Sequence, residues 1–459
     1  MFHISLFYIA GINGMLKIIE RFRGELSVAI MRVSNIAMAP LAALAIATSM
    51  SPEQQGYYFS FVAILTARYL FEAGVSQVVV TTVGQVRGSV QVLDSRNITG
   101  CSSSLSAVHD IFKFSLIWYS LAAIFMLFVV GGAGYVFFDS ENHSGVNWVW
   151  PWVFYITLGC VDFATLGFWA TLEGLDGIAP VYLFRALKAI ASVLVLALIV
   201  SLGGGLWGVV GFQAVSVLVN FCFIIRWRRT FLLIFRHIGG VLDWRTAIWP
   251  FQWRLAVSWA IGGYITVPLF VPVLFHTSGA IEAGRVGMTL AIMGAAASLG
   301  QSAMDAKVPH FCSLIAAGRW VELDREFFRR GVASLLVFLG ALICGVLAII
   351  GFDFLGVNFG SRIVSWPIFV IFAFGALLNL VIAMEANYLR WHRREPLMLV
   401  SVINGLFTLA ATVILAKHYG SKGVAAGYFG VAAVFFFPAT TVGWLVLRRR
   451  WHSRSEILS

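Results

Sequence analysis

Charge is what this sequence has least of: only 12% of its 459 residues are Asp, Glu, Lys or Arg, against 60% hydrophobic, and mean hydropathy is +0.88. A chain with so little polar surface cannot cover a water-soluble globule, so lipid is its expected solvent. Cysteine is also sparse. The five cysteines, Cys101, Cys160, Cys222, Cys312 and Cys344, show no CxxC spacing, which gives no support for a disulfide framework or a zinc site. Walker A, HExxH and GxSxG patterns are missing, and no polar insertion exceeds about 30 residues, so neither ATP hydrolysis nor hydrolytic catalysis has a seat. No resident cofactor is expected.

What is present is a series of long apolar runs rather than ten-residue alternation, which selects helices over a barrel. We place spans near 27–49, 57–83, 113–138, 148–172, 178–201 and 206–226, and again near 247–275, 284–304, 331–352, 365–388, 397–416 and 423–447. The expected fold is an all-α polytopic membrane protein of about 12 helices. An even number of spans puts both termini on one side. With that side cytoplasmic, the outer segments hold only Arg362, Lys417 and Lys422, six cations fall inside spans, and all the others lie in inner segments. That asymmetry is the positive-inside pattern. The net charge of +11 then reads as topology and contact with anionic lipid, and a nucleic-acid partner is not expected. Residues 4–16 are apolar but lack a preceding basic stretch and a small-residue cleavage site, so the segment 1–26 is expected to stay on the inner face.

Gly205-Leu206-Trp207-Gly208-Val209 returns 215 residues later as Gly420-Ser421-Lys422-Gly423-Val424, as expected of two duplicated six-helix lobes, 27–226 and 247–447, joined by a basic linker at 227–246 and followed by a basic tail at 448–459. A tight turn flanked by small packing residues is the alternative, and a Gly56–Gly284 match at offset 228 disagrees with 215.

Six cations are embedded: Arg32, Arg68, Arg185, Lys188, Arg254 and Arg285. Each costs on the order of 2.5–3.5 kcal/mol at the bilayer centre, so they should face protein or water. Arg68 lies 12 residues past Gly56, a depth of about 18 Å, near the midplane. Glu72, one turn on, is its expected ion-pair partner. Arg32 and Arg254 sit one to two turns inside the inner ends of spans 1 and 7, where they either meet an entering anionic headgroup or snorkel; Arg285 lies near the outer end of span 8. Arg32, Arg68, Arg254 and Arg285 are the candidate substrate-binding set, because Arg offers bidentate donors to phosphate. Arg185 and Lys188 share a face of span 5, with Asp162 the expected partner. Glu72, Asp162 and Glu385 are the carboxylates available for ion coupling or charge pairing, Glu385 being near an inner helix end where solvation is expected. Trp148, Trp150 and Trp152 read as an interfacial belt, and Pro268 and Pro272 after Gly262-Gly263 as a hinge.

Ser51-Pro52-Glu53-Gln54-Gln55-Gly56-Tyr57-Tyr58, with Glu72-Ala73-Gly74-Val75-Ser76 beyond it, resembles the first helical hairpin of bacterial O-antigen-type polysaccharide flippases. The segments Leu172-Glu173-Gly174-Leu175 and His418-Tyr419-Gly420-Ser421-Lys422-Gly423-Val424-Ala425-Ala426-Gly427 are similar to later parts of that family. Its superfamily also holds multidrug exporters and the peptidoglycan-precursor flippase. The resemblance implies two six-helix lobes with helices 1, 2, 7 and 8 facing a cavity, and a non-enzymatic transporter in a bacterial inner membrane. It further implies an undecaprenyl-diphosphate-linked oligosaccharide as substrate, moved from the inner to the outer leaflet, with other polysaccharide-assembly proteins as partners. A polysaccharide polymerase or lipid-linked glycosyltransferase is the alternative, as is a drug or cation exporter of the same superfamily, in which carboxylates would outnumber arginines in the cavity.

Overall fold

The computed structural model describes residues 2–86, 90–94, 97–140, 145–175, 177–236, 266–305, 307–392 and 396–456, with 249, 253, 256 and 257 as isolated positions. Arg254 and the Gly262-Gly263 pair lie outside the described residues, as does most of the seventh span.

The first half runs α1 (Phe2–Ser49), α2 (Pro52–Leu65), α3 (Arg68–Glu72), α4 (Val75–Val86), a two-stranded antiparallel hairpin of β1 (Val90–Asp94) and β2 (Asn97–Gly100), α5 (Ser102–Ser140), α6 (Val149–Ala164), α7 (Leu166–Gly174), α8 (Ile178–Ser201) and α9 (Trp207–Phe235). A 3-10 turn at Val267–Leu269 opens the described part of the second half. After it come α10 (Phe270–Ser278), α11 (Ala280–Asp305), α12 (Val308–Ala316), α13 (Trp320–Phe354), α14 (Trp366–Trp391), α15 (Met398–Val431), a π turn at Ala432–Phe436 and α16 (Phe437–Glu456).

Nine helical stretches among the described residues are long and apolar enough to cross a bilayer, and a pair bent by 44°, Pro52–Glu72 with Val75–Gln85, makes another span. One of the nine, Met398–Trp451, leaves the helical region at Gly420 (φ 55°, ψ −139°) and is two spans. The all-α polytopic class expected from the sequence is therefore what the structure shows, apart from the short hairpin. Apolar residues are inside and outside alike: Phe128 is 73% exposed and Val434 82%, while Tyr57, Phe112 and Tyr388 are wholly buried. Only a lipid solvent makes such an exterior stable.

Two kinds of glycine set the helix spacing. Gly205 (φ 51°) and Gly420 (φ 55°) are both left-handed, and each opens a tight return. Behind the second of them, a Cβ on Gly423 would lie 2.2 Å from the Leu415 carbonyl oxygen. Gly56 and Gly284, the pair that disagreed with the 215 offset, pack against each other: a Cβ on Gly56 would lie 2.0 Å from the Ala280 carbonyl oxygen, and one on Gly284 2.8 Å from the Gly56 nitrogen. Backbone-to-backbone contact of this closeness requires residues without side chains. Gln55 completes the seam by donating to the carbonyls of Gly284 and Arg362, both at 2.9 Å, and Tyr57 meets Phe275 edge-on at 4.9 Å. The N-terminal ends of α2 and α11 are thereby sealed together.

At the arginine-rich end the same two halves touch through Arg32, which donates to the Ser302 carbonyl at 3.4 Å and lies 3.9 Å from Asp305. Trp148 and Trp152 are each only 1% exposed, in a cluster with Phe61 and Phe138; Trp152 donates to the Gly131 carbonyl. The expected interfacial belt therefore reduces to Trp150, 66% exposed. Trp148 and Trp152 differ because α6 turns its Trp148–Trp152 face, one turn apart, onto α5.

Candidate functional site

The second and fourth spans are both broken where a bilayer-crossing helix would be expected to continue. Span 2 leaves the α-helix at Thr66–Ala67 and again at Ala73–Gly74, both of which have positive φ (50° and 71°). Span 4 breaks at Thr165, between α6 and α7. Breaks free backbone carbonyls that lipid cannot satisfy, so protein groups must reach them. Trp118 Nε1 donates to the Phe71 carbonyl at 3.0 Å, and the Asp162 carbonyl accepts from the Thr165 N–H at 3.2 Å and from the Thr165 hydroxyl at 2.7 Å.

Asp162, one turn before the span 4 break and 3% exposed, is the hub. Its Oδ1 accepts from Lys188 Nζ, from Ser216 Oγ at 3.0 Å and from Asn220 Nδ2 at 2.9 Å, while its Oδ2 lies 3.6 Å from Arg68. Asn220 also donates to the Thr165 hydroxyl at 2.8 Å. Four spans are thus joined at one carboxylate. Opposite charge together with full hydrogen bonding is what makes a buried carboxylate tolerable.

Beside this hub opens a cavity of about 460 Å³, lined by Arg68, Glu72, Gln77, Trp169, Glu173 and Arg185 among others. Arg185 pairs with Glu173 at 2.8 Å and lies over the rings of Tyr182 and Trp169, at 5.0 and 5.9 Å. The Tyr182 hydroxyl donates to Glu173 as well, at 2.9 Å. Trp169 is itself fixed by parallel stacking on Phe223, centroids 3.9 Å apart. Three cations (Arg68, Arg185, Lys188) and three carboxylates (Glu72, Asp162, Glu173) meet here, so the surroundings are charge-balanced rather than cationic.

Several placements differ from what helix periodicity implied. Arg68 and Glu72 do not pair with each other. The left-handed Ala73 ends α3 at Glu72, which accepts from Ser76 beyond the break, and Arg68 turns to Asp162 on α6 instead. Arg185 was expected beside Asp162 but takes Glu173, about two turns past the break in span 4, leaving Asp162 to Lys188. Glu385 is 6% exposed rather than solvated, and accepts from Thr441.

Of the four arginines expected to bind substrate, the three that are described are not brought together. Arg68 lines the cavity, Arg32 bridges α1 and α11 at the arginine-rich end, and Arg285 sits at the opposite end, donating to the Ser361 carbonyl at 3.2 Å. Arg254 is outside the described residues. The cavity is lined by spans 2, 4 and 5; of the expected spans 1, 2, 7 and 8 it includes span 2, and most of span 7 lies outside the described residues. Glu173, Gln77 and Trp169 went unassigned in the sequence. Glu173 carries one signal, its place 12 residues before Arg185 across a short hairpin. Among the described residues no cluster of His, Cys, Asp and Glu could hold a metal ion.

No protein-family model and no curated protein matches the sequence. Solved structures do match, at low identity. A multidrug-resistance MATE transporter of the MOP superfamily, in an inward-facing conformation, aligns with TM-score 0.61 and 15% identity over 94% of this chain and 99% of its own. The eukaryotic MATE transporter AtDTX14 aligns with TM-score 0.60 and 11% identity, over 95% of this chain and 99% of its own. The lipid II flippase MurJ, in an inward closed conformation, aligns with TM-score 0.55 and 13% identity, over 93% and 91%. At such identities the likeness is one of fold, and it extends over nearly the whole chain.

Proposed function

We propose that this chain is a flippase that carries an undecaprenyl-diphosphate-linked oligosaccharide from the inner to the outer leaflet of a bacterial cytoplasmic membrane, with both termini cytoplasmic and with 27–226 and 247–447 as its two lobes. The fold shared with MATE transporters and with a lipid II flippase supports a transporter rather than an enzyme. The observation that carries the reading is Arg68. It lies near the midplane, lines the cavity where span 2 is broken, and holds its only ion-pair partner among the described residues loosely, at 3.6 Å. Lys188 already satisfies the same carboxylate, so Arg68 can turn its planar fork to a diphosphate without orphaning Asp162. The polar Glu173 and Gln77 on the same wall suit a sugar, through acceptance from its hydroxyls.

A second reading, export of a cationic drug, draws on Glu72 and Glu173, which line the same cavity. One substitution pair separates the two. Arg68→Ala is expected to accumulate as folded protein and to lose lipid-linked saccharide transport about ten- to hundredfold, since hydrogen bonds to charged groups are worth about 1.5–3 kcal/mol. Arg68→Lys should recover part of it. Under the drug reading Glu72→Gln is the damaging change and Arg68→Ala is tolerated. Vesicle transport assays on the two variants, alongside their size-exclusion profiles, decide between them.

A further inference from the structure

The second half of the chain holds a buried carboxyl that the cavity does not use. Glu385 on α14 is 6% exposed, and both its oxygens lie 3.0 Å from the hydroxyl of Thr441 on α16. No Lys or Arg among the described residues pairs with it. Several of the charged groups on the elements packed around it are engaged with other partners, and Arg325 on α13, Arg390 on α14 and Arg449 and Arg450 on α16 are the further cations of those helices. On α13, Asp324 is engaged by Arg448 of α16 and by the Tyr388 hydroxyl, while Arg329 and Arg330 lie against Glu326. On α11, Asp305 faces Arg32 and accepts from Gln301. The α12 helix follows Lys307 and carries the exposed His310, and the run 398–416 of α15 has no charged residue at all.

A hydroxyl has one proton to donate and would have to share it between two carboxylate oxygens, whereas a neutral carboxyl and a hydroxyl can each donate once to the other in a closed pair. An ionised carboxylate in this position would be a buried charge without a counter-charge, the arrangement that membrane interiors tolerate least. The site also adjoins the π turn at Ala432–Phe436, which precedes Thr441 by five residues and is where the register of the last span is wound by one extra residue. Thr440, beside it, is wholly buried and its hydroxyl has no partner among the described residues.

We propose that Glu385 is a proton-binding site of the second half of the protein. A proton taken up by the carboxyl closes the pair with Thr441 and holds α14 to α16. Its release leaves a bare carboxylate that must find water, and α16 separates from α14 at its arginine-rich end. The site is distant in the chain from the Arg68 cavity and does not depend on what that cavity carries.

The test uses the full chain in lipid vesicles and an apolar carbodiimide: a neutral carboxyl protonates its nitrogen and the carboxylate oxygen then adds to its central carbon, giving an O-acylisourea that rearranges to a stable N-acylurea, with labelled residues mapped by mass spectrometry. Glu385 is expected to be labelled at pH 6, to lose at least about tenfold of that label by pH 9, and to show none in Glu385→Gln, an isosteric variant that should fold. Thr441→Val should keep the label while speeding amide exchange across 437–448. No label on Glu385 at pH 6, a label unchanged by pH, or a label suppressed by sodium ions at fixed pH would each overturn the assignment, the last by making the site one for a metal cation.

Discussion

Asp162→Ala should destabilise the protein by about 3–5 kcal/mol, the usual consequence of removing one partner from a buried charged network. The carboxylate accepts from Lys188, Ser216 and Asn220 and faces Arg68, so its loss strands a lysine and an arginine within the membrane region and removes the acceptor that joins spans 2, 4, 5 and 6. The expected readouts are a sharp fall in folded yield and a lower midpoint of thermal unfolding in detergent. Adding Lys188→Met to Asp162→Ala should recover part of the loss, because a stranded charge costs more than a missing pair. If the single variant were as stable as the parent, Asp162 would not be the hub described above.

Gly56→Val acts through shape instead of charge. Its Cβ would lie 2.0 Å from the Ala280 carbonyl oxygen and 2.9 Å from the Ala280 Cα, both backbone atoms that cannot rotate away. Overpacking of this kind costs about 1–3 kcal/mol, and with backbone on both sides the upper end is expected. The chain can respond only by parting α2 from α11, which also breaks the two hydrogen bonds from Gln55. Amide exchange should therefore rise together in 52–60 and 280–288, and transport should fall to background if the seam must close in each cycle. Gly430→Ala, at a position with nothing within 4 Å, serves as the control and should shift stability by no more than about 0.5 kcal/mol. Unchanged exchange in Gly56→Val would mean that this seam does not hold the two halves together.

Contacts between the halves occur at both ends, Gly56 against Ala280 and Gly284 at one and Arg32 against Ser302 and Asp305 at the other. They differ in kind. The first is a dry backbone contact; the second is one long hydrogen bond and one ion pair between half-exposed groups, worth little in water and easily exchanged for solvent or an anionic headgroup. The arginine-rich end is therefore the one expected to open first.

Long apolar runs and a one-sided distribution of arginine were enough to reach the membrane class and the approximate positions of the spans that are described, because hydropathy is a property of whole segments. The breaks in spans 2 and 4 were not legible. Ala73 is a poor candidate for a left-handed residue, and Thr165 carries no breaker signal, so helical spacing assigned Arg68 to Glu72 when the broken backbone sends it to Asp162. Lys188 with Asp162 was legible because span 5 is unbroken at that point and the spacing survives. Glu385 was misplaced for another reason. Position near a helix end suggests solvent, but Glu385 is buried and its carboxyl faces Thr441 of α16.

The most direct test of the proposed function is the sidedness of lipid-linked saccharide in cells depleted of this protein, read with a probe that reaches only the outer leaflet. Single repeat units confined to the inner leaflet, and restored to the outer one by the parent chain but not by Arg68→Ala, are the predicted result. Units that reach the outer leaflet at the normal rate and fail only to polymerise would contradict the flippase and point to the polymerase.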